Sequence, residues 1–230
     1  MFSIQRWDDN VAPIAKTVES MVFVVDDDPS VRDAIKRLLG TVGLRVTSFG
    51  SAPEFLAGDR PEGPSCLVLD VRLPVMSGID FQCELSKANI RIPVIFITAH
   101  GDVPMSVKAM KAGAVELLIK PFHDQDLLDA VHMALEKDRV RRLGEGEIAE
   151  LQRRMRTLTA RESEVLRLVI SGRLNKQIAA EINASEATVK VHRGQLMRKM
   201  DAKSVPELVR MAEKLGVPAA GPKANSVLPK

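Results

Sequence analysis

Four short apolar runs in this chain each end in a group that can do chemistry, and that arrangement admits few folds. Val22-Phe23-Val24-Val25 runs into Asp26-Asp27-Asp28, and Cys66-Leu67-Val68-Leu69 runs into Asp70. Pro93-Val94-Ile95-Phe96-Ile97 stops at Thr98, and Val115-Glu116-Leu117-Leu118-Ile119 stops at Lys120. Apolar runs of this length read as parallel strands buried on both faces, and the carboxyl edge of such a sheet is where sites assemble. Three acids, a hydroxyl and an ammonium converging on one edge make a site for magnesium (Mg2+) and a phosphoryl group.

Strands are predicted near 22–26, 44–48, 66–70, 93–98 and 115–119, alternating with helices near 30–40, 51–58, 78–88, 103–112 and 124–137. Five βα units of this size predict an α/β fold with a five-stranded, doubly wound parallel (flavodoxin-like) sheet over residues 21–137. Gly43 and Gly113 fall just past helices, where a left-handed C-terminal cap is wanted. Residues 1–20 show no period and read as a loose extension, and Met21 stands directly before the first strand.

Residues 138–157 read as a helical linker, with Ile148, Leu151, Met155 and Leu158 at three- and four-residue spacing. Gly144 and Gly146 each weaken a helix by about 1 kcal/mol relative to Ala, so a break is expected there. Strand signals then stop. Helical patterns near 160–171, 175–182, 186–200 and 204–215 predict an all-α, four-helix helix-turn-helix domain over 158–216. Thr159-Ala160-Arg161-Glu162 is a capping box, Asn175 is a candidate cap for the second helix, and Ser185 for the third. The tail from Val217 to Lys230, with three prolines, reads as disordered.

Charge divides the chain along the same line. Residues 21–137 hold 12 Lys/Arg against 16 Asp/Glu, a balance of −4, whereas residues 151–215 hold 14 against 7, a balance of +7. An acidic half suits a metal or phosphate site, and a basic half suits a polyanion partner. No apolar run approaches the ~20 residues of a membrane helix, and the N-terminal stretch with Trp7, Asp8 and Asp9 is not a signal peptide, so a cytoplasmic location is expected. Cys66 and Cys83 have no metal-ligand spacing and are expected to be reduced and packed in the core.

At the acidic site Asp26, Asp27 and Asp70 are the candidate Mg2+ ligands, since this ion takes carboxylates, waters and phosphate oxygens. Asp70 is also a candidate nucleophile that would form an aspartyl phosphate. The metal, the Lys120 ammonium and the Thr98 hydroxyl would then each meet one equatorial oxygen. Asp28, followed by Pro29, reads instead as a helix cap.

Residues 21–137 resemble the receiver domain of two-component response regulators, through Val25-Asp26-Asp27, Asp70-Val71-Arg72-Leu73-Pro74 with Gly78, Thr98-Ala99 and Lys120-Pro121-Phe122. The resemblance implies that a histidine kinase phosphorylates Asp70, that the Arg72 backbone carbonyl joins the metal ligands, and that Thr98, Ala99, Lys120 and the residue at 117 form the phosphoryl-binding switch. One position departs from the pattern: the switch aromatic of such domains is replaced by Leu117, and the chain has no Tyr.

Gly172-Arg173-Leu174-Asn175-Lys176-Gln177-Ile178-Ala179 and Ala184-Ser185-Glu186-Ala187-Thr188-Val189-Lys190-Val191-His192-Arg193 resemble the LuxR-type helix-turn-helix, and the whole chain resembles FixJ-type transcriptional response regulators. The stretch Ala99-His100-Gly101-Asp102-Val103-Pro104-Met105 is similar to that subgroup too. At 100° per residue, Val189, Leu196 and Met200 share an apolar stripe, while Ala187, Lys190, Val191, Gly194, Gln195 and Arg198 face away as a major-groove helix requires. The candidate DNA-binding set is Lys176, Thr188, Lys190, Val191, Arg193, Gly194, Gln195 and Arg198. Arg193 is expected to pack its stem and send its head to phosphate or an acid.

The implied partners are a sensor histidine kinase, double-stranded promoter DNA, RNA polymerase, and a second copy of the chain on phosphorylation, with no membrane. Val107 and Lys111 on the fourth helix, with Glu116 on the following strand, are the candidate dimer surface. Two other readings compete. One is a DNA-binding regulator whose receiver is a scaffold that never gains phosphate. The other is an aspartate-nucleophile phosphatase, which needs a second acid two residues after the nucleophile, where this chain has Arg72.

Overall fold

A computed structural model describes residues 19–59, 62–99, 101 and 103–221 of the chain. The expected extension over residues 1–20 lies outside them except at its end, as do His100 and Asp102 of the subgroup stretch and the tail beyond residue 221. The chain divides into two compact units that part between Arg142 and Leu143.

In the first unit β1 (Met21–Val25), β2 (Arg45–Phe49), β3 (Ser65–Asp70), β4 (Val94–Thr98) and β5 (Glu116–Ile119) form one parallel sheet in the order β2-β1-β3-β4-β5. The apolar runs account for the order. β1, β3 and β4 are buried along nearly their whole length and fill the middle, while β2 alternates exposed and half-buried residues at one edge. The order in which strands are added reverses between β1 and β3, so their carboxyl ends flank the crevice where such folds bind ligands.

α1 (Pro29–Thr41) and α5 (Asp124–Arg156) cover one face, packing Ile35, Leu39, Leu127, Val131 and Ala134 against Val22, Val24, Cys66, Val68, Ile95 and Ile97. α2 (Ala52–Ala57), α3 (Gly78–Lys87) and α4 (Val103–Lys111) cover the other, against Phe23, Val25, Leu67, Leu69 and Phe96. Phe55 centres that second core, edge-on to Phe23 and Phe49 at 5.4 Å and to Phe81 at 5.8 Å. Asp28 caps α1 as expected, its Oδ1 accepting the Ser30 N–H at 2.8 Å. Gly43 and Gly113 have φ of 78° and 91°, the left-handed conformation expected of them.

Three expectations need correction here. Cys83 is exposed, because α3 turns Phe81, Gln82 and Leu85 inward and position 83 falls outside that arc; only Cys66 is buried. No break occurs at Gly144 and Gly146: α5 runs unbroken through both, laced by the pairs Glu136–Arg139 and Glu150 with Arg153 and Arg154. The first unit also continues past 137 into α5, since Asp138 is fully buried in it, while Leu151 is buried and Met155 half-buried in the second.

The second unit holds α6 (Ala160–Ile170), α7 (Asn175–Glu181), α8 (Glu186–Met200) and α9 (Val205–Lys214) around Val165, Leu166, Leu168, Val169, Ile178, Val189, Leu196, Met200 and Leu208. The Thr159–Glu162 capping box is present, and Ser185 caps α8. Asn175 does not cap α7. It is the first helical residue, and Gln177 instead reaches back to accept the Leu174 N–H at 2.8 Å. The tail is also ordered further than its composition suggests: Val217 and Ala220 pack on this core, and Ala220 N–H donates to Arg167 O.

Candidate functional site

The carboxyl ends of β1, β3, β4 and β5 deliver Asp26, Asp70, Thr98 and Lys120 to one place. Carboxylate oxygens of Asp26, Asp27 and Asp70 lie within 4.8 Å of one another. Asp26 is fully buried and Asp70 nearly so, whereas Asp27 is exposed at the rim. Lys120 Nζ is 2.7 Å from Asp26 Oδ2 and 3.5 Å from Asp70 Oδ2, bridging the two strands.

Backbone N–H groups fix the two buried acids. Asp26 Oδ1 accepts the Asp28 N–H at 2.8 Å, and its carbonyl accepts from Arg32 Nη1 at 2.6 Å. Asp70 Oδ1 accepts the Arg72 N–H at 3.3 Å. The loop after Asp70 closes tightly, with Gly78 N–H donating to Val71 O at 2.9 Å. A Cβ on Gly78 would stand 2.2 Å from Asp70 O, so the backbone can approach only because no side chain is there. Thr98 is fully buried, its carbonyl accepts the Lys120 N–H at 2.7 Å, and Ala99 beside it is exposed. The Lys120–Pro121 peptide is cis.

Burial pushes the Asp70 carboxyl above its usual pKa; the Lys120 ammonium and the Arg72 N–H act against this, and the neighbouring Asp26 charge adds to it. A cation among the three carboxylates would relieve the same repulsion. Three converging carboxylate donors match a hard divalent ion such as Mg2+. Arg72 itself is exposed, and Leu117 is half-buried against the Phe96 side of the core.

In the second unit the predicted outward face of α8 is outward: Ala187, Thr188, Lys190, Val191, Gly194, Gln195 and Arg198 are all exposed, with Val191 at 58%. Val189, Leu196 and Met200 are buried, as the helical phase demands. Thr188 Oγ1 is 2.8 Å from the capping Ser185 Oγ, and Lys176 is exposed at the start of α7. Arg193 is half-buried, and its head meets an amide rather than an acid: Nη1 donates to Asn175 Oδ1 at 2.9 Å, tying α8 to the start of α7. Beneath, the buried Glu162 accepts from Lys199 Nζ at 2.6 Å, an ion pair holding α8 on α6.

Val107 and Lys111 are exposed on α4, beside exposed Val103 and Met110, and Glu116 is half-buried with its Oε1 accepting the Leu117 N–H at 3.0 Å. Two structural participants are not singled out by local motifs. Arg32 holds the Asp26 carbonyl, and Asp138 sits buried at the far end of β3. The phase of α5 could have found the second, since Leu127, Val131, Ala134 and Asp138 share one face.

Residues 22–132 match the response regulator receiver domain, and residues 156–212 match the bacterial regulatory proteins of the luxR family. The chain is 53% identical over 203 residues to nodulation protein W of Bradyrhizobium diazoefficiens, covering 88% of this chain and 89% of that protein. It is 42% identical over 191 residues to the transcriptional regulatory protein FixJ of Rhizobium meliloti, covering 83% and 94% respectively. Among solved structures, response regulator StyR superposes with a TM-score of 0.78 at 48% identity, over 85% of this chain and 99% of that one. Full-length FixJ from B. japonicum gives a TM-score of 0.53 at 36% identity, over 87% and 98%. No described helix is long and apolar enough to cross a membrane.

Proposed function

The chain belongs to the FixJ-like transcriptional response regulators of two-component systems, a receiver domain followed by a LuxR-type DNA-binding domain, and from that premise we propose that Asp70 accepts a phosphoryl group from a sensor histidine kinase. The observation that carries the reading is the meeting of the Asp26, Asp27 and Asp70 carboxylates under the Lys120 ammonium. An Asp70 oxygen bonds to phosphorus as the bond from phosphorus to the kinase histidine nitrogen breaks, and the histidine regains its proton from solvent. Asp26, Asp27, Asp70 and the Arg72 backbone carbonyl would hold Mg2+, which supplies charge compensation to the phosphoryl oxygens when bound. Lys120 turns to a second oxygen, and the Thr98 hydroxyl, with Ala99 beside it, meets a third.

On this reading the first unit carries the phosphoryl chemistry, and the second binds promoter DNA in the cytoplasm and meets RNA polymerase there. Lys190, Val191, Gly194, Gln195 and Arg198 enter the major groove, with Lys176, Thr188 and Arg193 at its edge. Phosphate at Asp70 promotes pairing of two chains through Val107, Lys111 and Glu116. A regulator is favoured over a phosphatase because Arg72 stands where the phosphatase acid is needed and cannot protonate a leaving group. The test is incubation of the protein with acetyl phosphate and Mg2+. Mass spectrometry should show one added phosphate on the wild type and none on Asp70→Asn. A base-labile phosphate on Asp70→Asn would sink the assignment.

A further inference from the structure

Asp138 is a fully buried carboxylate far from the acidic cluster, and it is held by donors from two elements. Ser65 N–H donates to its Oδ2 at 2.9 Å, Arg142 Nε to the same oxygen at 2.6 Å, and Arg141 Nη2 to Oδ1 at 2.5 Å. Ser65 is the first residue of β3, and Asp70 is the last. Two ties therefore join the strand to the segment made by β5 and α5. At the carboxyl end Lys120 Nζ reaches Asp70, and at the amino end Asp138 holds Ser65.

β3 is buried at every residue, and it pairs with β1 from Ser65 to Leu69 and with β4 from Leu67 to Asp70. The strand thus links Asp70 to Ser65 over roughly 17–20 Å through one continuous buried run. Removing the carboxylate would leave the Ser65 N–H without this acceptor and the Arg141 and Arg142 guanidiniums without their anion. α5 itself continues past Asp138 to Arg156.

We propose that Asp138 is a positioning residue that couples the state of Asp70 to α5 through β3. The proposal rests on Asp70 being the phosphoacceptor. Once phosphate draws Lys120 from Asp26 and Asp70, the hydrogen bond between Ser65 and Asp138 at the other end of β3 changes strength, which alters the stability of the helix over residues 134–142.

The test is hydrogen exchange by mass spectrometry on the full chain, with and without acetyl phosphate and Mg2+, phosphate uptake being read on the same samples by intact mass. In the wild type, exchange at Ser65 and over 134–142 should change by about fivefold or more, the low end of allosteric coupling. Asp138→Ala should still take up phosphate, while its change over 134–142 falls below about twofold. Asp138→Asn, which keeps an acceptor for Ser65 N–H, should restore the response. A wild type that gains phosphate with no change at Ser65 or over 134–142 overturns the proposal, and that result needs no variant to fold. An Asp138→Ala protein that responds as the wild type overturns it too. A wild type that takes no phosphate fails earlier, at Asp70.

Discussion

Lys120 Nζ lies 2.7 Å from Oδ2 of Asp26, a carboxylate with no exposure to solvent. Asp70, the other carboxylate within its reach, is the more distant at 3.5 Å. The lysine therefore pairs first with Asp26, and under the proposed chemistry a phosphoryl group must compete for it. Lys120→Met would leave Asp26 buried with only the Asp28 N–H on its side chain. The expected loss is about 3 kcal/mol, the low end for breaking a buried pair. Urea unfolding with EDTA should show that loss, and added Mg2+ should stabilise the variant more than the wild type. Equal stability of the two proteins in EDTA would show that the pair matters little.

Leu117 raises a different question, because it packs half-buried against the core where related domains carry an aromatic ring. Under the proposed chemistry, with no ring at 117 to rotate, activation would travel through backbone and helix movement once Thr98 engages phosphate. Leu117→Ala should keep phosphorylation-dependent DNA binding within about tenfold of wild type, or ~1.4 kcal/mol. Titration of phosphorylated and unphosphorylated protein onto promoter DNA measures this. Complete loss of activation in a folded variant would make Leu117 itself an essential lever.

What could be read from the sequence was set by how far each residue's role is local. Asp26, Asp70, Thr98 and Lys120 follow apolar runs directly, so strand ends and site were legible together. The outward face of α8 follows from helical phase alone, and Lys190 and Gln195 are where that phase puts them. Asp138 is different, since its partner Ser65 is distant in sequence and a helix taken to end at 137 hides its phase. Asn175 has the chemistry of a cap but is engaged by Arg193 from α8, a tertiary contact that local propensity does not contain. Val217 and Ala220 belong to a Pro- and Gly-rich stretch, yet they find apolar partners in the second core.

Glu162 gives a prediction in pH. The Lys199 hydrogen bond, helped by the Thr159 N–H, holds its carboxyl below the usual glutamate range. A folded pKa below the unfolded one contributes stability that is present above the unfolded pKa and lost as pH falls through the folded one. A carbon-13 titration of the Glu162 carboxyl should have a midpoint below those of exposed glutamates, and Lys199→Met should raise it. An unchanged midpoint in Lys199→Met would mean the lysine is not the cause.

Lys190 and Lys176 should differ in kind on DNA. Lys190 projects from the exposed face of α8, whereas Lys176 lies in the first turn of α7, the helix before it. Lys190→Ala should weaken specific binding by roughly 1–3 kcal/mol and relax preference at one operator position. Lys176→Ala should weaken all sequences alike and lower the salt dependence of binding. Binding to a panel of single-base operator variants separates the two. Equal losses across the panel for Lys190→Ala would reassign it to the phosphate backbone.

The α4–β5 surface bears on how phosphate at one end of the chain reaches DNA at the other. Val103, Val107 and Met110 are exposed on α4, an apolar strip beside Lys111, and Glu116 opens β5 next to it. In a two-fold contact the apolar strips meet while Lys111 of one protomer pairs with Glu116 of its partner. Under the proposed dimerisation, pairing two receivers would bring two DNA-binding domains to half-sites about one helical turn apart, and so would convert phosphorylation into operator affinity. Lys111→Glu sets two acids against each other and should block dimerisation without blocking phosphate uptake. Adding Glu116→Lys reverses both signs and should partly restore it. Sedimentation velocity with and without acetyl phosphate reads the outcome, and an oligomeric state that phosphate leaves unchanged in the wild type would refute this route.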